Sequence, residues 1–137
     1  MTNALCLAAK SGIDVRIITP KKWDKWYVHP VTQQNYEILL EAGVKIYEFT
    51  PGFIHSKLFV SDDSVATIGT INMDYRSFFI HFECGVWICR SDAVFDIKDH
   101  FNSLFEQCEQ ITLKRWKKRP FYMKLKQRIL SVFSPFM

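Results

Sequence analysis

Between His55 and Asn72 the chain sets out polar residues at spacings that suit phosphate chemistry: His55-Ser56-Lys57, four residues, Asp62, six residues, then Gly69-Thr70-Ile71-Asn72. On an extended strand, side chains two apart leave the same face, which predicts the His55 imidazole beside the Lys57 ammonium. Neutral imidazole is a base and nucleophile near pH 7, and imidazolium is an acid. A neighbouring lysine is a fixed cation that holds an anion against the ring. Phosphate is the anion that suits the pair. Leu58-Phe59-Val60 and Val65-Ala66-Thr67-Ile68 read as strands, with Ser61-Asp62-Asp63-Ser64 as the turn between them. Such a hairpin returns Gly69 to Asn72 to the end of the sheet where His55 sits. There Thr70 and Asn72 offer a hydroxyl and an amide to phosphate oxygens, and Gly69 lets the backbone turn without a Cβ.

The whole pattern resembles the signature of the phospholipase D superfamily, and each spacing fits. The flanks Thr50-Pro51-Gly52-Phe53-Ile54 and Asn72-Met73-Asp74-Tyr75-Arg76-Ser77-Phe78, with Trp26-Tyr27-Val28-His29-Pro30 upstream, resemble the second such motif of bacterial cardiolipin synthases. In that family the histidines of two motifs share one site. One attacks phosphorus to form a phosphohistidine; the other protonates the leaving alkoxide and then activates the incoming alcohol. The resemblance implies that His55 is one of this pair and that Lys57, Thr70 and Asn72 hold the phosphate oxygens. It also counts Asp62 among the catalytic signature residues, although the hairpin places Asp62 at the turn, for a structural role. Glu83, in Phe82-Glu83-Cys84-Gly85, matches an acid that bonds the distal histidine nitrogen and fixes its tautomer. The other reading of Glu83 is a surface acid at a strand edge.

The reaction so implied moves a phosphatidyl group from one phosphatidylglycerol onto the hydroxyl of another, giving cardiolipin and glycerol. It implies anionic phospholipid and a membrane surface as partners, no cofactor and no metal. Two other classes stand beside it. One is a phosphodiesterase or nuclease of the same superfamily acting as a homodimer, with water as acceptor. The other is a non-catalytic remnant that only binds lipid. Under the lipid reading no nucleic acid partner is expected. Only one motif is present, so the second histidine has to come from an N-terminal half or from a homodimer mate. The resemblance therefore places the chain as a C-terminal portion of a longer enzyme, peripheral at the cytoplasmic side of the bacterial cell membrane.

The elements that must carry this hairpin can be read on either side of it. Ala4 to Lys10 reads as a helix closed by Ser11-Gly12, Asp14 to Thr19 as a buried strand, Val31 to Ala42 as a helix stopped by Gly43, and Val44 to Phe49 as another strand. That order predicts an α/β fold with a mixed, largely parallel sheet flanked by helices; the resemblance implies a phospholipase D-like half-domain over residues 1–110, and a start inside a helix leaves open that its first strands are missing. Ligands gather at strand ends in such sheets, so the loop from Trp23 to His29 either borders the site or is an aromatic surface loop on its own domain. Phe82 to Arg90 reads as a strand and Ser91 as the start of a helix. Val94, Ile97, Phe101, Leu104, Phe105 and Cys108 recur there at core spacing. His81 and His100 read as structural and solvent-facing.

Charge divides the chain unevenly. Residues 1–109 carry 10 Lys and Arg against 14 Asp and Glu, whereas residues 110–137 carry 8 and none. The 111–137 segment is thus expected to be a basic helical tail, with Tyr122, Leu125, Ile129, Val132, Phe133 and Phe136 on one face. One reading lays it on an anionic membrane through Lys117, Lys118, Arg119, Lys124 and Arg128, with Trp116 and Phe121 nearby. The other packs it on the rest of the protein with its basic face in water. The four cysteines show no Cys-x-x-Cys spacing, and Cys84 and Cys89 would face opposite sides of a strand, so reduced thiols are expected. No apolar run approaches the ~18 residues that span a bilayer, and no His/Cys/Asp cluster has metal-ligand spacing.

Overall fold

The computed structural model describes residues 1–22, 28–120 and 122–123. These fall into two compact units, Met1–Ile54 with Cys108–Met137, and His55–Gln107. In the first, helix α1 (Thr2–Lys10) leads to strand β1 (Arg16–Pro20), helix α2 (Val28–Thr32), a 3-10 turn (Gln33–Asn35), helix α3 (Tyr36–Glu41) and strand β2 (Lys45–Phe49). Pro30 lies in the first turn of α2, where a missing N–H costs nothing, so the helical stretch begins earlier than the sequence suggests. The 3-10 turn then divides it. α3 ends in a Schellman arrangement: Val44 N–H donates to Leu39 O and Gly43 N–H to Leu40 O, with Gly43 at φ +97°.

β1 and β2 are parallel, in register from Arg16↔Lys45 to Pro20↔Phe49. On the other side of β2 lies β6 (Cys108–Ile111), antiparallel. Val44, Ile46 and Glu48 alternate toward the core, which is built from Ile46, Val44, Tyr36, Leu39, Cys6, Ile111 and Trp116. Trp116 comes from helix α6 (Leu113–Lys117), is only 5% exposed, and meets the Tyr36 ring at 4.8 Å between centroids. The start of the basic segment is therefore core. The expected boundary after residue 110 falls inside β6.

In the second unit, β3 (Leu58–Ser61), β4 (Val65–Gly69) and β5 (Gly85–Cys89) form an antiparallel sheet in that order. Asp62 and Asp63 both take positive φ, 52° and 53°, and Ser64 N–H closes on Ser61 O at 3.1 Å; with Ser61 facing Val65, the hairpin loop is the three residues Asp62, Asp63 and Ser64. Helix α5 (Asp92–Phe105) starts at Ser91, whose hydroxyl accepts from Ala93 N–H, and buries Val94 and Ile97 against Ala66. Leu104 is buried too, and Phe101 and Phe105 are half-buried. Cys108 has left the helix and opens β6, so the helical spacing overran by one turn. Helix α4 (Tyr75–Phe79) completes the unit.

The fold is thus mixed α/β with helices flanking sheets. Two three-stranded sheets stand in place of the single expected one, and β1–β2 is the one parallel pairing among the four described. The sequence pattern overstates parallel character because helices also lie between β4 and β5 and between β5 and β6, yet β5 and β6 both pair antiparallel. All four cysteines are free. No described helix is long and apolar enough to cross a membrane. The loop residues Trp23, Trp26 and Tyr27 and the tail residues Phe121, Lys124, Leu125, Arg128, Ile129, Val132, Phe133 and Phe136 lie outside the described residues.

Candidate active site at the open end of the hairpin

The hairpin brings His55, Lys57, Thr70, Asn72 and Glu83 to one end of the β3–β4–β5 sheet. β3 itself starts at Leu58, so His55 and Lys57 precede the strand, and alternation alone does not pair them. Their link is a bond from Lys57 Nζ to the His55 carbonyl at 2.7 Å. Gly69 N–H donates to Lys57 O at 3.3 Å, and Thr70 N–H donates to Cys84 O at 2.9 Å, so three chain segments are joined within two residues. Gly69 is needed here for close approach. A Cβ at this position would lie 2.4 Å from Cys84 O and 2.6 Å from Gly85 Cα. The glycine seen in the sequence serves strand contact, with no positive φ.

Glu83 is the centre of the polar network. Its carboxylate accepts from the Thr70 hydroxyl and from Ser77, and it lies 3.9 Å from His81 Nδ1. Hydrogen bonds from Thr70 and then Ser77 hold the Glu83 carboxyl below the usual carboxylate range, with the positive charge of Lys57 adding to the effect. In turn, partial burial pushes the Lys57 ammonium down, while Glu83 and Asp74 oppose that shift. The Thr70 hydroxyl also accepts from Cys84 N–H at 3.1 Å, so in this state its one proton is committed within the protein. Asn72 exposes its side chain and donates its backbone N–H to Ser77 Oγ at 3.2 Å.

Ser77 was not singled out by its sequence, yet it is 8% exposed and ties Asn72 to Glu83. Asp74 caps α4 by accepting from Ser77 N–H at 2.8 Å, which fixes where that hydroxyl points. The signal was available: Asp74 and Ser77 stand at capping spacing just past the motif. Arg76 donates to His81 Nε2 at 2.9 Å, giving His81 a structural partner. Asp62 lies at the hairpin tip, the far end of β3 from Lys57, where it accepts from Ser61 Oγ at 2.9 Å. Its place is in the turn.

Lys117 pairs with Glu41 at 2.6 Å. Arg119 lies over the Trp116 ring, 2.9 Å from its centroid, and donates to Trp116 O at 3.0 Å. Burial lowers the Arg119 guanidinium to about 10. Trp116 and Arg119 therefore take part in the packing of α6, and Lys118 is exposed. His29 lies in α2, and His100 is exposed on α5.

Residues 1–107 match the family described as "Cardiolipin synthase, PLD-like domain". The chain belongs to this family. It is 42% identical over 135 residues to an uncharacterized protein of Streptococcus mutans, covering 98% of this chain and 29% of that one. It is 40% identical to a cardiolipin synthase of Geobacillus kaustophilus (97% and 26%) and 39% identical to cardiolipin synthase 1 of Staphylococcus epidermidis (97% and 27%). The crystal structure of Nuc, a phospholipase D family member from Salmonella typhimurium, superposes with a TM-score of 0.69 at 17% identity, over 81% of this chain and 72% of that one. That likeness establishes the phospholipase D fold. The chain spans between a quarter and a third of the length of the curated relatives it matches.

Proposed function

We propose that the chain carries one motif of a phosphatidyl transferase that makes cardiolipin from two phosphatidylglycerols, with His55 as one of two catalytic histidines. The observation that supports this most is the meeting of His55, Lys57, Asn72 and the Glu83 network at one end of the hairpin, within a family of cardiolipin synthases. One histidine attacks phosphorus, and the bond from phosphorus to the glycerol oxygen breaks. The second histidine supplies the proton to that oxygen. It then takes a proton from the hydroxyl of the second phosphatidylglycerol, which displaces the first histidine and forms cardiolipin. Lys57 and the Asn72 amide hold the non-bridging oxygens, where charge builds up in the transition state. Thr70 acts through Glu83 in the state described, and Glu83 orients the histidine.

The second motif comes from another part of a longer chain or from a second copy of this one, and the substrate reaches the site from the membrane surface. The acceptor separates this reading from a phosphodiesterase. With phosphatidylglycerol as donor, transfer yields cardiolipin, whereas water as acceptor yields phosphatidic acid and glycerol. A preparation that makes phosphatidic acid alone, or that cleaves DNA at a comparable rate, would replace the transferase with a hydrolase.

A further inference from the structure

Helix α4 has its polarity reversed. A surface helix of a globular protein buries its apolar side chains and exposes its polar ones. α4 buries Ser77, at 8% exposure, and turns its aromatic residues outward: Phe79 is 74% exposed, Tyr75 54% and Phe78 43%. Tyr75 and Phe79, one turn apart, pack ring on ring at 4.8 Å, so the outward face is a continuous aromatic surface. Met73 before the helix and Phe82 after it are exposed as well, Phe82 fully. Contiguous exposed apolar surface of this kind marks a place of contact.

The segment from Asn72 to Glu83 is pinned at three points. Asn72 N–H and Glu83 both bond Ser77, and Asp74 fixes Ser77 by capping it. The aromatic side chains are therefore held at the rim of the site, on the outer face of the element whose inner face completes it. Building on the transferase reading above, we propose that α4 and Phe82 form the lipid-contacting platform of the site: they enter the apolar layer of a phosphatidylglycerol surface while Lys57 and Asn72 take the phosphate of the same lipid. A phosphodiester joined to two acyl chains presents charge and hydrocarbon within one molecule, and this segment presents the Asn72 amide and exposed phenylalanines, with Lys57 at the same end of the sheet. Aromatic residues with one cation, here Arg76, are also the composition found at membrane interfaces. A second protein chain is the competing occupant.

The test compares the whole 137-residue chain with its Phe79→Ser/Phe82→Ser variant in sedimentation with phosphatidylglycerol vesicles. High salt screens basic residues elsewhere on the chain. Vesicle affinity falls about tenfold or more, because two exposed phenylalanines lose their transfer into hydrocarbon. The melting temperature of the variant is unchanged or higher, since neither ring is buried in the fold. Equal vesicle affinity of the two proteins, or none in the unmodified chain, would overturn the proposal. So would a drop in solution mass from dimer to monomer with vesicle binding retained, which assigns the face to a second copy. Glycerophosphoglycerol, the headgroup without chains, gives a separate reading through the amide signals of Thr70 and Asn72. If it perturbs them in neither protein while the vesicle difference stands, the phosphate site is refuted and the lipid contact of α4 is supported.

Discussion

Substituting Gly69 by alanine adds one carbon at the point where the site is most tightly constructed. That carbon would stand 2.4 Å from Cys84 O and 2.6 Å from Gly85 Cα, where ordinary contact begins near 3.4 Å. Both neighbours are backbone, so no rotamer change relieves the overlap, and β4 and β5 have to part. Parting them stretches Thr70 N–H···O Cys84 (2.9 Å) and Cys84 N–H···Oγ Thr70 (3.1 Å). Overpacking of this kind costs about 1–3 kcal/mol, and each weakened hydrogen bond adds about 0.5–1.5 kcal/mol. The sum expected for Gly69→Ala is about 2–6 kcal/mol, which in a domain of this size lowers the melting temperature by roughly 5–30 °C. Gly52→Ala is the control: it has nothing within 4 Å and no positive φ, so its effect stays within about 0.5 kcal/mol. Urea unfolding followed by circular dichroism compares the two. Equal stability of Gly69→Ala and the unmodified chain would refute the argument from close approach.

Three further outcomes can be checked together. Ser77→Ala removes the acceptor of Asn72 N–H and a donor to Glu83 from a buried position, and is expected to lower stability by about 1–3 kcal/mol in the same urea experiment; no change would remove Ser77 from the network. Trp116→Ala empties a core position beside Tyr36 and should cost about 3–5 kcal/mol; a loss under about 1 kcal/mol would mean that α6 is not part of the core. Glu109 is held at about 2 by hydrogen bonds from Lys21 and Arg115. A depressed carboxyl stabilises the fold above its ordinary value of 4.5 and loses that contribution as pH falls toward 2. Glu109→Gln should therefore be less stable than the unmodified chain at pH 7 and should converge with it near pH 2; a constant difference across that range would contradict the pairing.

The hairpin was legible because its signals agree. Alternating strands, a polar Ser61-Asp62-Asp63-Ser64 turn and the fixed spacing of His55, Lys57 and Asn72 all point to one geometry, and Ser91 marks the start of α5. α4 was not legible as a helix because hydrophobic patterning assumes that apolar residues face inward, and here Ser77 faces inward and Phe79 outward. β6 was hidden by Cys108, which continues the spacing of α5 by coincidence. Glu48 is the clearest miss in the first unit. It alternates with Val44 and Ile46, a core pattern, and is buried with Gln33 Nε2 at 3.0 Å and Tyr36 Oη at 3.4 Å. Burial drives the Tyr36 hydroxyl well above its ordinary range, ahead of the effect of Glu48. The core role of Trp116 was hidden because it stands within a basic run, where the charges around it read as one solvated face.

The central claim is that His55 does chemistry on phosphatidylglycerol in company with a second histidine. Its most direct test is formation of labelled cardiolipin from labelled phosphatidylglycerol by this chain and by His55→Ala, with oligomeric mass recorded in the same samples. The account predicts product that disappears with His55 and that forms only where the mass shows a second copy or where a second motif is supplied. Cardiolipin made by a proven monomer, or made equally well without His55, would contradict it.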